Sequence, residues 1–245
     1  MTAADSPDGT PAPLVAGAVN LRDVGGLPAG DRRTRHGVLY RSGNLAQLEA
    51  RGIEDLSGLR LRRIIDLRSD EEVLHAPSPA GVASEIVRVP LFLGSVASFF
   101  ENDISLDEMY RRLVDDSAER VVQVVRGIVS DQPVLVHCTV GKDRTGVAVA
   151  LTLAAAGVEE DAVIADYART EGLLPAWRNR GVIERLRALH PRARHLEELA
   201  TRSPAPVMRR LLDDLTARFG SASDYLLASG LSDDELRELR RVLVE

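Results

Sequence analysis

Pro133-Val134-Leu135-Val136-His137-Cys138-Thr139-Val140-Gly141-Lys142-Asp143-Arg144-Thr145-Gly146, followed by an Ala/Leu/Val-rich run from Val147 to Ala156, decides the fold. The apolar run headed by proline reads as a buried strand, and the run after Gly146 as a helix. Between them lies a tight loop with a thiol at one end and a guanidinium at the other. Cys138 is the only cysteine of the chain and Lys142 the only lysine. Backbone N–H groups of residues 139–144, the N-terminus of the helix and Arg144 all favour negative charge at one spot. That field suits a thiolate, and a free thiol with a pKa of roughly 8.5 needs such help near neutrality. It suits a phosphate dianion equally, which Arg144 can grip through two oxygens.

Working outward, the 245 residues fit one large domain. Hydrophobic content of 44% and charged content of 28% are those of a soluble globular chain. The formal charge of -6 argues against wholesale nucleic-acid binding and leaves room only for a local basic patch. A single Cys excludes an internal disulfide framework and a cysteine-rich zinc site. No apolar stretch is long enough for a membrane span. Met1 to Val19, rich in Ala, Pro, Gly and Asp and without signal-peptide character, reads as a flexible tail, and the expected compartment is cytoplasmic.

Short strands are expected at Gly37–Arg41, Arg63–Leu67, Glu85–Val89 and Val134–His137. Helices are expected near Leu45–Leu59, after the capping box Ser69-Asp70-Glu71-Glu72, and from Ser105 towards Val129, with Leu91–Asp103 as loop. From Glu159 onward the chain reads as helical, with a cap at Ser203-Pro204, a capping box at Ser232–Glu235 and a Leu236, Leu239, Leu243 stripe. Alternating strands and helices imply an α/β fold with a mostly parallel central sheet, flanked by helices and covered by an all-helical C-terminal layer or lid at about 159–245. Residues 20–245 then form one domain. Ligands of such sheets sit beyond the carboxyl ends of the strands, which would bring Tyr40-Arg41-Ser42 and Asp66-Leu67-Arg68 to the edge that carries Cys138.

Cys-x5-Arg-Thr preceded by His resembles the signature of cysteine-dependent protein tyrosine phosphatases. Asn20-Leu21-Arg22-Asp23-Val24-Gly25-Gly26, Tyr40-Arg41-Ser42-Gly43, Asp66-Leu67-Arg68 and the loop at 137–146 occur in the order of a bacterial branch of that superfamily. Some members of that branch have broad specificity, so the resemblance implies a protein-tyrosine or dual-specificity phosphatase with phosphoinositides as further candidate substrates. It implies Cys138 as nucleophile, Arg144 as phosphate clamp, and the amides of Thr139, Val140, Gly141, Lys142, Asp143 and Arg144 as the cradle. Neither metal nor other cofactor is implied. Transient contact with anionic lipid is compatible with such substrates.

The general acid is not given by the usual motif. The chain has no Trp-Pro-Asp; its only tryptophan lies in Pro175-Ala176-Trp177. Pro90-Leu91-Phe92-Leu93-Gly94-Ser95, where some relatives of the branch carry an Asp, has none. Asp143 is the first candidate and Asp103 the second, and a loop salt bridge is the alternative role for Asp143. Lys142 reads either as a contact to extra phosphates or as a solvated loop charge. His137 is expected to brace the loop, Thr145 to offer its hydroxyl to the sulfur, and Gly146 to let the helix pack closely on the sheet. Arg22 with Asp23 reads as an ion pair fixing the N-terminal loop, with a place beside the site as the alternative, and Asp66 with Arg68 reads as an ion pair against the same alternative.

From Trp177 to Arg210 nine arginines face three glutamates, a net of +6 that is either a solvated helical face or a basic lid steering anions. A rhodanese-like sulfurtransferase and a silent phosphate-binding pseudophosphatase are the alternatives. The usual sulfurtransferase loop is one residue shorter, and a pseudophosphatase typically loses the Cys or the acid.

Overall fold

The computed structural model describes residues 13–79, 85–91 and 97–244. In chain order these form β1 (Arg22–Asp23), β2 (Pro28–Ala29), β3 (Arg32–Arg33), β4 (Leu39–Ser42), α1 (Ala50–Gly58), β5 (Arg63–Asp66), α2 (Asp70–His75) and β6 (Glu85–Arg88). Then follow α3 (Ala97–Glu101), α4 (Leu106–Asp116), α5 (Ala118–Ser130), β7 (Val134–His137) and α6 (Arg144–Ala156). The rest is α7 (Glu160–Leu173), α8 (Ala176–Leu189), α9 (Leu196–Thr201), α10 (Ala205–Phe219), α11 (Ala222–Ala228) and α12 (Asp233–Leu243).

The main sheet runs β1-β4-β7-β5-β6, with β1 antiparallel and the other pairings parallel. β7 is therefore central, and all four of its residues are buried. Residues along each strand alternate between two cores, as the period of two requires. Tyr40, Ile64 and Leu135 pack with Leu45, Leu48 and Leu56 on the α1 face. Leu39, Ile65, Val134 and Val136 join the larger core with α4–α7 and α10–α12. Helix α6 is almost wholly apolar because it lies between the sheet and α7, α11 and α12, and all of its thirteen residues but Ala154 are buried. Truncating Leu151 there would cost about 2–5 kcal/mol.

The expected α/β architecture and helical C-terminal layer are present. Register places Ser42 and Asp66 opposite His137, so β4, β5 and β7 end at one edge, as the topology argument required. Both capping boxes form, at Ser69/Glu72 and Ser232/Glu235.

Four local expectations are corrected. The helix expected from Ser105 to Val129 is two helices, broken at Ser117, whose backbone (φ -126°, ψ 20°) leaves the helical region. Part of the expected 91–103 loop is α3, and the acid-free stretch at 92–96 lies outside the described residues. Pro204, not Ser203, occupies the N-cap of α10; the Ser203 hydroxyl instead accepts from Glu171 N and donates to Ala168 O, fastening the end of α7. The flexible tail does not extend to residue 19: Val15 is fully buried against α1, where apolar surface outweighs the entropy of a free end, and residues 1–12 lie outside the described residues.

Candidate active site

The loop between β7 and α6 curls because Gly141 adopts φ +74°, and a Cβ there would stand 2.4 Å from the carbonyl oxygen of Ser42. The curl returns Gly141 N–H to Cys138 Sγ at 3.2 Å. No described backbone carbonyl outside the helix accepts from the amides of Val140, Lys142, Asp143 or Arg144. A sulfur that accepts a backbone N–H, next to a row of uncommitted amides at a helix N-terminus, is a site built for negative charge.

Arg144 closes the other end. Its Nη1 and Nη2 donate to the two carboxylate oxygens of Glu72, each at 2.6 Å, and Nη1 also approaches the carbonyl of Leu67. Burial would raise the Glu72 carboxyl, but the hydrogen bonds and charge of Arg144 override it and hold Glu72 at about 2. Thr139 Oγ1 donates to the same carboxylate. Glu72 also completes the capping box by accepting Ser69 N–H at 2.9 Å. The sequence pattern showed only that local cap; its second duty depends on β5 delivering α2 across the mouth of the loop.

Asp143 and Lys142 are held together. Lys142 Nζ donates to Asp143 Oδ1 at 2.5 Å and to the carbonyl of Arg202 at 2.9 Å. The lysine side chain is fully buried, so its reading as a phosphate contact or solvated charge is corrected: loop closure against the α9–α10 connection commits its ammonium. Tyr110 OH donates to the same Asp143 oxygen at 2.9 Å, and Tyr167 OH stands 2.8 Å behind it. The Asp143 side chain is about one-fifth exposed, and both of its donors, Lys142 and Tyr110, are on Oδ1. Asp103 is elsewhere engaged. Its carboxylate accepts from Arg194 N, Arg194 Nε and His195 N, and the Arg194 hydrogen bonds lower its pKa.

The flanking residues sort themselves by burial. His137 is fully buried and stays neutral, burial pushing it down to about 4 against the pull of Asp66, whose carboxylate is 3.8 Å away. Its Nδ1 lies 3.4 Å from the Cys138 carbonyl, a loose brace. Thr145 Oγ1 has no partner among the described residues, so the expected bond to sulfur is absent. Gly146 lets α6 approach both the sheet and α7: an added Cβ would come within 3.1 Å of the Tyr167 ring and 3.4 Å of the guanidinium of Arg41 on β4. Asp66 and Arg68 form the expected buried pair. Arg22 and Asp23 do not pair with each other. Asp23 accepts from Gly25 N and Gly37 N, while Arg22 reaches Asp166.

Five of the nine arginines in the basic stretch after Trp177 are ion-paired among the described residues. Arg187, Arg194, Arg202, Arg209 and Arg210 pair with Glu197, Asp103, Glu171, Asp161 and Asp107, most of which lie outside that stretch. Among the described residues no helix is long and apolar enough to cross a membrane.

A central parallel sheet that presents a cysteine loop, a guanidinium and free amides at one edge defines the class of cysteine-based phosphate-handling enzymes. Residues 13–245 match the model of the tyrosine phosphatase family, and the chain belongs to that family. It is a phosphatase, and the resemblance carried by the four motifs is borne out. It is 37% identical over 160 residues to a Cupriavidus necator protein provisionally named a tyrosine-protein phosphatase, a match covering 60% of this chain and 59% of that relative. It is 29% identical to the triple specificity protein phosphatase PtpB of Mycobacterium tuberculosis, over 93% of this chain and 97% of the relative. Among solved structures, TpbA of P. aeruginosa in complex with phosphotyrosine aligns over 69% of this chain and 87% of its own, at 17% identity and a TM-score of 0.37.

Proposed function

We propose that the protein hydrolyses phosphate monoesters of proteins, phosphotyrosine foremost, through a phosphocysteine intermediate on Cys138. The carrying observation is Cys138 Sγ held by Gly141 N–H at 3.2 Å in the loop that Arg144 closes. In the first step the sulfur attacks phosphorus, the S–P bond forms, and the ester oxygen departs with a proton from Asp143 Oδ2. In the second step water attacks the phosphocysteine, gives its proton back to Asp143, and inorganic phosphate leaves with the thiolate restored. The uncommitted amides and Arg144 stabilise the equatorial oxygens in both steps. Glu72 keeps the Arg144 fork in plane, and Tyr110 with Lys142 fixes which Asp143 oxygen is available.

Likeness to a relative named a triple specificity phosphatase supports activity beyond phosphotyrosine. Lys142, the loop side chain that could meet extra phosphates, is committed to Asp143 and Arg202, which supports peptide over phosphoinositide substrates. The test is turnover of p-nitrophenyl phosphate, phosphotyrosine peptides and phosphoinositides by the wild type and by Cys138→Ser. Peptide turnover that exceeds lipid turnover and disappears in Cys138→Ser is expected. Thiosulfate turnover, or no turnover of any ester, would overturn the reading.

A further inference from the structure

Asp166 lies on α7, outside every motif, yet its carboxylate is 2% exposed and touches two buried guanidiniums. Its Oδ2 accepts Arg41 Nη1 at 2.6 Å and its Oδ1 accepts Arg22 Nε at 2.8 Å. Burial would raise this carboxyl, but Arg41 and Arg22 hold it at about 2. The two arginines carry one more charge than the carboxylate offsets, in a place where all three side chains are buried.

The other ends of these arginines lead to the catalytic loop. In a trans peptide the C=O and the following N–H point in opposite directions. Loop amides that face an anion therefore send their carbonyls outward, into the protein, where each needs a donor. The Gly141 carbonyl, whose peptide carries the Lys142 N–H, accepts from Arg41 Nη2 at 2.9 Å and from Asn20 Nδ2 at 2.8 Å. The Val140 carbonyl, whose peptide carries the N–H that reaches Cys138 Sγ, accepts from Asn20 Nδ2 at 3.3 Å. Asn20 is in turn oriented by Arg22 Nη1, which donates to its side-chain and backbone oxygens. Both donors to the loop thus trace back to one carboxylate.

We propose that Asp166 is a positioning residue for phosphate binding, acting through Arg41 and through Arg22 and Asn20 on the outward carbonyls of Gly141 and Val140. It makes α7 the rear wall of the phosphate socket: the helical layer sets the pitch of the cradle amides from behind. The proposal rests on the phosphatase reading of the site.

The test uses Asp166→Asn, Arg41→Lys, Asp166→Glu and the Asp166→Asn/Arg41→Lys double variant, each shown folded by circular dichroism. Inhibition by inorganic phosphate and the kcat and KM for p-nitrophenyl phosphate are measured, with calorimetric phosphate binding as a readout independent of turnover. Asp166→Asn is expected to weaken phosphate binding and lower kcat/KM by at least about tenfold, one good buried charge-assisted contact. Arg41→Lys keeps the charge against Asp166 but cannot span to Gly141, so it loses as much; should Asp166→Asn fail to fold, it carries the test alone. The double variant falls little below the worse single, and Asp166→Glu recovers part of the loss. Folded single variants with wild-type phosphate affinity would overturn the proposal, as would tighter phosphate binding in Asp166→Asn, which simple removal of a negative charge predicts. A wild type that binds phosphate but turns over no ester would instead sink the phosphatase reading.

Discussion

Replacing Glu72 by Gln removes one charge from the mouth of the loop and nearly preserves its shape. Glu72 is held at about 2 against an ordinary 4.5, because the fork of Arg144 outweighs the cost of burial. That displacement corresponds to roughly 3 kcal/mol. Its side chain is 22% exposed, so screening by solvent leaves about 2 kcal/mol as the expected share. Gln keeps one acceptor but turns an amide N–H2 towards the guanidinium, which then loses its fixed plane. A loss of 2 kcal/mol at the clamp lowers kcat/KM by about thirtyfold. The rise should fall mainly in KM, with weaker inhibition by inorganic phosphate. The assay is steady-state hydrolysis of p-nitrophenyl phosphate beside urea unfolding. Ser69→Ala serves as control, since it removes the cap at a cost of about 1 kcal/mol without touching Arg144. A contrary view makes Glu72 a stand-in for substrate that must leave the fork first. On that view Glu72→Gln lowers KM, and a lowered or unchanged KM refutes the positioning argument.

Asp143→Asn should cut turnover of a phosphotyrosine peptide or alkyl phosphate by about 100-fold, while p-nitrophenyl phosphate, whose leaving group needs little protonation, loses far less; equal losses on both would remove the proton-transfer role. Stability should fall between pH 6.5 and pH 4 through His137. Its folded pKa of about 4 lies below the unfolded value of 6.5, so the folded state binds fewer protons and its advantage is complete only above pH 6.5. Most of about 3 kcal/mol should be gone by pH 4.5 in urea unfolding; the lowered carboxyls of Asp66, Glu72 and Asp166 act at lower pH. A profile that is flat across this window, or unchanged in His137→Asn, would contradict a buried neutral imidazole. Gly141→Ala must place an L side chain at φ +74° against Ser42 O, and activity should be lost even where the protein still folds.

The loop and its two neighbours were legible because strand, curl and helix follow one another within about two dozen residues, where local rules apply. The carboxyl edge was legible too, since parallel pairing brings Ser42 and Asp66 beside His137. Periodicity could not reveal the break at Ser117. The buried positions Leu113 and Val114 are followed by Val121 and Val122, spacings of seven and eight that a continuous helix would also show. In the sequence Glu72 shows only as a cap, because its contact with Arg144 bridges 72 positions. Asp166 was invisible for the same reason: Arg41 is 125 positions away. Neither sequence reading of Lys142, a contact to extra phosphates or a solvated charge, includes its partner, because only the returning chain at Arg202 shows where its ammonium goes.

Acid quenching during steady turnover, followed by mass mapping of the peptide that spans the loop, asks directly where phosphorus travels. One phosphoryl group on sulfur of Cys138, accumulating within a turnover and absent from Cys138→Ser, is the expected result. Ester hydrolysis at the wild-type rate by Cys138→Ser, with phosphorus on no protein atom, would contradict it.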